Sequence, residues 1–352
     1  MANQQAAARE RVWILDTTLR DGEAFPSSSM TVLNKLEIAE MLDEVSVDIV
    51  EAGFPAASRL EFEIVSVIAG RLKTASVAAF ARGIATDIDA AAQAVKRARR
   101  PRINIAVPIS PLQLAHQRRT QEQALEIIVD SVSRARNLVD DVGWSAVDAT
   151  RTPIDFLCRY VDAAIEAGAT SITLPDTVGM ATPNGYRAIF RAVRERVPSA
   201  DKAVFSTHCH DYLGLAVANS MAGLDGGARQ VECTINGLGQ RLGNASLCDV
   251  VSTLRDHQKG NSYHIGVNGE LVPRASDLAT SICTSPARFR EFMPSHRVGS
   301  SSSAPREIRS RAGVDAIGPP PSQITDHQEP RILRSSLPDI RAEAGGSPAR
   351  FR

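Results

Sequence analysis

One pattern of apolar and polar positions recurs along the chain between residues 12 and 258. A short run rich in apolar and β-branched residues is followed by a turn and then by an amphipathic stretch of helical period. The apolar runs predict eight strands, at residues 12–18, 47–53, 74–80, 102–108, 141–147, 170–176, 202–208 and 229–236.

The stretches between these runs predict helices, because apolar residues return every three or four positions. Clear examples are LNKLEIAEMLDEV, TQEQALEIIVDSVSRARNLV, PIDFLCRYVDAAIEAG and PNGYRAIFRAVRERV. Pro153 and Pro183 stand near the start of two of them, where the missing N–H of proline costs little.

Eight alternating βα units with mostly apolar strands are what a closed parallel barrel wrapped in helices requires. A doubly wound open sheet is the alternative α/β architecture. We favour a (β/α)8 TIM barrel because the strand count closes at eight. Polar residues also gather at the C-terminal ends of many strands, where the active sites of such barrels lie.

The extent of the pattern sets the expected domain limits. Residues 1–10 form an N-terminal arm and residues 11–258 form the barrel. A short irregular C-terminal extension follows, with one short helix expected at about residues 274–284. Residues 294–352 are rich in Ser, Pro, Gly and Arg with little periodicity, which predicts a disordered tail.

Composition and charge narrow the function classes. Forty basic and forty acidic residues give no net charge, which argues against nucleic acid or a membrane surface as a partner. Neither a signal peptide nor an apolar run of membrane-spanning length is found, so a cytoplasmic location is expected. The five cysteines lack CxxC spacing and are expected to be reduced and mostly buried.

Side chains that can carry chemistry stand at the ends of the first and seventh predicted strands. The first ends in LDTTLRDGEAFP, where Arg20, Asp21 and Glu23 either bind a ligand or form a salt-bridged rim. The seventh ends in THCH, and the alternation of a strand puts His208 and His210 on one side. Two imidazoles with the Asp21 carboxylate leave positions open on a divalent cation for water or substrate oxygens.

Three further strand ends offer polar groups. The glycines of NGLGQRLGN do not match a dinucleotide fingerprint, and a tight turn there presents Asn244 either to a metal or as a helix N-cap. Glu51 and Thr177, the latter beside Asp176, are candidates to hold a small polar substrate or to cap the following helices.

Six motifs resemble those of the 2-isopropylmalate synthases, within a wider group of barrel enzymes that includes homocitrate and citramalate synthases and acyl-CoA lyases. In order along roughly residues 11–258, they are DTTLRDGE, EAGFPAAS, DATRT, LPDTVG, HCH and ECTINGLGQRLGN. The resemblance implies an acyltransferase of leucine biosynthesis that condenses acetyl-CoA with 2-oxoisovalerate and hydrolyses the thioester to 2-isopropylmalate and CoA. A homocitrate or citramalate synthase, which uses another 2-oxo acid, is the alternative.

The resemblance also implies roles for individual residues. Arg20 matches the catalytic arginine that polarises the 2-oxo group of the substrate, and Thr177 matches a threonine near the substrate carboxylate. The expected cation is Mg²⁺ or Mn²⁺, with Zn²⁺ as an alternative. The residues that match its ligands are Asp21, His208, His210 and Asn244. The family forms dimers, which suggests a homodimer, but partly through C-terminal regions that this chain lacks, so the oligomeric state stays open.

Several positions depart from the pattern of these enzymes. Val147 stands where the family carries a catalytic Glu before the Asp of DATRT, and valine cannot transfer a proton. Ala24 replaces a Gln after RDGE. The motif HCHND becomes HCHDY at Asp211 and Tyr212, and GER becomes GQR at Gln240.

The last part of the chain departs further. The family continues into a subdomain with a His-Glu-Ser-Gly-Ile-His motif, which this sequence lacks, so residues 259–293 are expected to be a remnant of that subdomain. A reading-frame shift in a GC-rich gene would produce such an Arg/Ser/Pro-rich tail. The second hypothesis is therefore a truncated or degenerate, catalytically inactive paralogue that keeps the metal site.

Overall fold

Eight parallel strands close into a barrel, as the apolar runs predict. The computed structural model describes residues 10–24, 30–256 and 263–283, all within one compact unit. Each barrel strand pairs with its neighbour along the chain, and the last, β9, pairs with the first, β2. The strands are β2 (Trp13–Asp16), β3 (Ile49–Glu51), β4 (Ser76–Arg82), β5 (Pro101–Pro108), β6 (Asp141–Val147), β7 (Ser171–Asp176), β8 (Val204–Cys209) and β9 (Gln230–Cys233).

Helices follow the strands and form the outer layer. Hydroxyl side chains cap several of them, and Thr31 and Thr120 form complete capping boxes at α1 and α5. Pro183 occupies the first turn of α7, and Pro153 directly precedes α6. The helices are α1 (Val32–Val45), α2 (Arg59–Arg71), α3 (Ala85–Val95), α4 (Pro111–His116), α5 (Gln121–Arg136), α6 (Ile154–Glu166), α7 (Pro183–Arg196), α8 (Ala216–Asp225), α9 (Leu247–Asp256) and α10 (Val272–Cys283).

The apolar core lies mainly between the barrel and its helices. Inside the barrel, Leu15, Ile49 and Ala78 form a separate small cluster. Other inward positions, such as Arg102, Thr173 and Glu232, are buried and polar. Because side chains alternate across each strand, one face of a strand packs in the core between barrel and helices, while the other contributes the side chains of the barrel interior.

Three elements, β1, β10 and α10, lie outside the barrel strands and the helices that surround them. Strand β1 (Glu10–Arg11) pairs in parallel with β10 (Tyr263–His264). Helix α10, expected at about residues 274–284, contacts α1 and α9. Residues 294–352, expected to be disordered, lie outside the described residues, and the domain limits stay predictions.

Two expectations from composition can be compared with the described residues. All five cysteines lie in this part of the chain, and none forms a disulfide. No described helix is both long enough and apolar enough to cross a membrane.

Candidate active site

A cavity of about 250 Å³ opens at the carboxyl ends of the barrel strands. Its lining includes six of the seven predicted site residues, namely Arg20, Asp21, Glu51, Thr177, His208 and His210. The seventh, Asn244, is buried and bonds to Asp21 from outside the lining. The carboxyl end of the barrel therefore brings together residues that lie more than 200 positions apart in sequence.

The two histidines converge on Asp21. His208 lies in β8 and His210 directly follows the strand, so both side chains point to the same side. Their Nε2 atoms lie 3.6 and 3.9 Å from Oδ2 of Asp21. The three potential ligand atoms lie within 4.8 Å of one another, a spacing that suits one cation.

Asn244 reaches Asp21 from the turn after β9. Its Nδ2 donates to Oδ2 of Asp21 at 2.9 Å and to the carbonyl of Leu238 at 3.0 Å. The turn depends on glycine, because Gly239 has a φ of +146° and a Cβ there would lie 2.0 Å from Nδ2 of Asn244. Ser246, rather than Asn244, accepts a hydrogen bond from the first turn of α9.

The protonation states of Asp21 and His210 suit a cation. For His208, burial favours the neutral ring, but Glu232 and Asp21 outweigh it and raise the pKa of this imidazole. Burial alone would raise the pKa of Asp21, but Arg20, both imidazoles and Asn244 outweigh it and hold that pKa at about 2. Burial and the neighbouring His208 lower the pKa of His210 to about 4. At neutral pH the carboxylate is thus ionised and the His210 imidazole is neutral, as metal ligands must be.

Glu232 on β9 orients His208. Its Oε2 lies 2.9 Å from Nδ1 of His208, and its Oε1 accepts a hydrogen bond of 2.6 Å from Thr173. Burial opposes the charge of Glu232, but His208 outweighs it and lowers the pKa of this carboxyl. A carboxylate on Nδ1 leaves Nε2 of His208 directed at Asp21, an arrangement common around metal-binding histidines.

Arg20 lies beside the histidines and is held by acidic and aromatic groups. Its Nε donates to Glu51 at 2.6 Å, and one NH group lies 3.3 Å from Oδ1 of Asp21. The guanidinium also stacks over the Phe80 ring at 4.8 Å. Burial disfavours the positive charge of Arg20, but Glu51 and Asp21 outweigh burial and raise the pKa of this guanidinium. Arg20 therefore stays a cation.

The salt-bridged rim, which was the alternative to ligand binding at the end of the first strand, is thus present in part, through the ion pairs of Arg20. Glu51 also accepts a hydrogen bond of 2.9 Å from Asn104 and caps no helix, since Ser58 caps α2. Glu23 does not line the cavity and instead forms an ion pair of 2.8 Å with the buried Lys35.

Thr177 and Asp176 differ in their surroundings. Thr177 lines the cavity, and its Oγ1 accepts a hydrogen bond of 2.9 Å from the backbone N–H of Asp148. Its own hydroxyl proton is thus left to donate to another group. Asp176 is fully buried and accepts hydrogen bonds from Thr150 and from the backbone of Ala181, which ties down the following loop.

Sequence reasoning did not single out Glu232 or Asn104. Both lie on inward positions of their strands, and the register of β8 with β9 pairs His208 directly with Glu232. Alternation along β9 puts Glu232 on the same face as Gln230, but the sequence alone does not say which face is inward. Val147, which stands where the resembling enzymes carry a catalytic Glu, lines the cavity wall.

The HMGL-like family profile matches residues 11–278, about three quarters of the chain. The chain belongs to the HMGL-like family. This HMGL-like chain is 56% identical over 292 residues to a 2-isopropylmalate synthase from Methylobacterium nodulans and 53% identical over 292 residues to one from Nitrobacter hamburgensis. Each alignment covers 83% of this chain and 56% of the relative, so the chain spans about half the length of the curated relatives it matches.

Solved structures of the same barrel support the fold of this HMGL-like chain. An HMG-CoA lyase from Brucella melitensis superposes with a TM-score of 0.65 at 19% identity, covering 78% of this chain and 99% of that one. An HMG-CoA lyase from Pseudomonas aeruginosa gives 0.66 at 19% identity, over 78% and 94% of the two chains. The eight-stranded barrel is therefore shared at low sequence identity.

Proposed function

We propose that this chain is an acyltransferase that condenses acetyl-CoA with 2-oxoisovalerate and hydrolyses the thioester with water to give 2-isopropylmalate and CoA. The observation that carries the proposal is the convergence of Asp21, His208 and His210 beside Arg20 in one cavity. The identity of 56% to a 2-isopropylmalate synthase supports the choice of reaction. Homocitrate and citramalate synthesis, the alternatives, differ only in the side chain of the oxo acid.

A divalent cation fits the side chains at the centre of this cavity. Asp21, His208 and His210 would hold it, and Asn244 would join them through its amide oxygen after a half-turn of the amide that now donates to Asp21. When bound, the cation supplies Lewis-acid polarisation of the oxo group. Mixed oxygen and imidazole ligands suit Mg²⁺ or Mn²⁺, and Zn²⁺ is the alternative.

Arg20 is the proposed catalytic residue of the condensation step. The acetyl methyl first loses a proton to a basic group of the cavity other than Val147. When its carbon then attacks the oxo carbon, the oxo oxygen gains negative charge, and a fixed guanidinium lowers the energy of that charge. Glu51 and Phe80 hold Arg20 in place, so little reorganisation is needed as the charge develops. Thr177 offers its hydroxyl proton to the carboxylate of the oxo acid.

A second candidate function follows from Val147. This side chain lines the cavity wall and offers no group that can accept a proton from the acetyl methyl. The chain would then bind a cation and an oxo acid without turnover.

Release of free CoA thiol from acetyl-CoA tests the proposal. The purified chain is assayed with Mg²⁺ or Mn²⁺ and 2-oxoisovalerate, with 2-oxoglutarate and pyruvate in parallel. Thiol release that depends on 2-oxoisovalerate and is lost in Arg20→Ala is the expected result. Absence of thiol release from folded protein that still binds Mn²⁺ and 2-oxoisovalerate would favour the second candidate instead.

A further inference from the structure

A second cavity adjoins the one that holds Arg20 and the histidines. It has a volume of about 350 Å³ and lies between the carboxyl ends of β4 and β5 and helix α5. Phe80, Ala106 and Val147 line both cavities, so the two spaces share one wall. No charged side chain belongs to this shared wall.

Most of the side chains that line the second cavity are apolar. Ile84, Val107 and Ile127 line it beyond the shared wall. Hydrophobic side chains on several sides favour an aliphatic ligand group, because burying methylene groups releases water from both surfaces.

The two arginines of the second cavity already have partners. Arg82 donates to both carboxylate oxygens of Asp87, at 2.6 and 3.1 Å, and its guanidinium stacks over Phe54. Arg119 donates to the amide oxygen of Gln117 at 2.9 Å. Asp87 therefore balances the charge of Arg82, and the Arg119 side chain is exposed to solvent.

In the proposed function, the oxo and carboxylate groups of the substrate form its polar end and bind in the adjoining cavity. Arg20 and Asp21 mark that position, and the Phe80 ring lies directly under the Arg20 guanidinium. A carbon chain that leaves the polar end therefore meets the wall formed by Phe80, Ala106 and Val147. Ala106 has the smallest side chain of the three, so a connection between the two cavities requires the least displacement there.

We propose that the second cavity receives the side chain of the substrate, and that the site binds 2-oxo acids with aliphatic chains longer than that of 2-oxoisovalerate. This inference rests on the proposed function, since it uses the same site for the oxo and carboxylate groups. Each methylene buried in the second cavity strengthens binding by up to about fourfold.

Calorimetric titration of the Mn²⁺-loaded protein tests the inference without requiring turnover. The ligands are 2-oxobutanoate, 2-oxoisovalerate, 2-oxoheptanoate and 2-oxoadipate. We expect 2-oxoheptanoate to bind at least tenfold more tightly than 2-oxobutanoate. In Ile127→Phe, which fills the second cavity from α5, that ratio falls at least tenfold.

Matched variants separate this effect from damage to the fold. Val129→Phe places the same ring on the exposed side of α5, outside both cavities, and keeps the wild-type ratio. Ala106→Leu adds bulk to the wall that the two cavities share, and it lowers the ratio even if Ile127→Phe fails to fold.

The possible results distinguish the inference from the proposed function. Tight, Mn²⁺-dependent binding of 2-oxoisovalerate with no gain for 2-oxoheptanoate would overturn the inference and leave the proposed function intact. Tighter binding of 2-oxoadipate than of 2-oxoheptanoate would also overturn it. Failure of every 2-oxo acid to bind would overturn both.

Discussion

At the scale of single residues, the site depends on carboxylates whose charges are matched by specific neighbours. Asp21 has Arg20 and two imidazoles beside it, and Glu232 has His208 and two hydroxyl donors. These partners make buried ionised carboxylates tolerable, since an unpaired buried charge is very costly.

We expect Glu232→Gln to weaken Mn²⁺ binding by about 10- to 100-fold, because the amide no longer fixes the ring of His208 through a charged acceptor. The fold should persist, since the amide oxygen can still accept from Thr173. Calorimetric titration with Mn²⁺ measures the change, and Glu195→Gln on the exposed face of α7 is the control. Equal Mn²⁺ affinity in the two variants would refute the orienting role of Glu232.

Asp16 presents the opposite case, a buried carboxyl with little compensation. One oxygen accepts a 2.8 Å hydrogen bond from the N–H of Thr18, and the other has no partner within the described residues. Burial raises the pKa of Asp16 to about 7. Because the folded state holds this proton more tightly than the unfolded state, the contribution of Asp16 to stability is greatest below about pH 4 and is lost as pH rises to about 7.

The variant Asp16→Asn should remove this loss, because the amide does not ionise. Between pH 4.5 and 8, the free energy of unfolding of the variant relative to wild type should rise by about 2–4 kcal/mol. Urea unfolding at both pH values measures it. A difference between the two proteins that stays constant with pH would show that Asp16 does not titrate in this range.

At the scale of elements, the turn after β9 positions Asn244. Its glycines adopt positive φ, and Arg241 and Leu242 do so as well, which is uncommon for residues with side chains. Backbone strain of this kind is often concentrated at functional sites, where surrounding contacts hold it.

Gly239→Ala should displace Asn244 and weaken Mn²⁺ binding at least tenfold, with a loss of stability of about 2 kcal/mol. Gly214→Ala is the matched control, since Gly214 also has positive φ but its added Cβ would meet nothing within 4 Å. The control should lose about 1 kcal/mol of stability and keep its Mn²⁺ affinity. Unchanged affinity in Gly239→Ala, measured by the same titration, would contradict the role given to Asn244.

The elements themselves could be predicted well from the sequence. All eight predicted strands are present, and the spacing of His208 and His210 correctly put them on one side of β8. The partnership of His208 with Glu232 could not be predicted, because it depends on the register between β8 and β9. The second cavity could not be predicted either, since its walls come from four elements, β4, β5, β6 and α5, whose distances are set by packing.

At the scale of the whole molecule, closure of the barrel creates the site. The pairing of β2 with β9 brings Asp21 next to Asn244, although these two residues are far apart in sequence. An open doubly wound sheet would keep the first and last strands apart, with the first inside the sheet and the last at an edge. The cytoplasmic location and the homodimer stay predictions.

The central claim is that Asp21, His208 and His210 bind a divalent cation, and that the 2-oxo acid binds to this cation. Titration of Mn²⁺ followed by electron paramagnetic resonance tests it most directly, using wild type, Asp21→Asn and the exposed control Asp140→Asn. We predict that each wild-type chain binds one Mn²⁺ and that 2-oxoisovalerate changes the Mn²⁺ spectrum. The affinity for Mn²⁺ should be at least a hundredfold weaker in Asp21→Asn and unchanged in Asp140→Asn. Equal Mn²⁺ affinity in all three proteins would contradict the account.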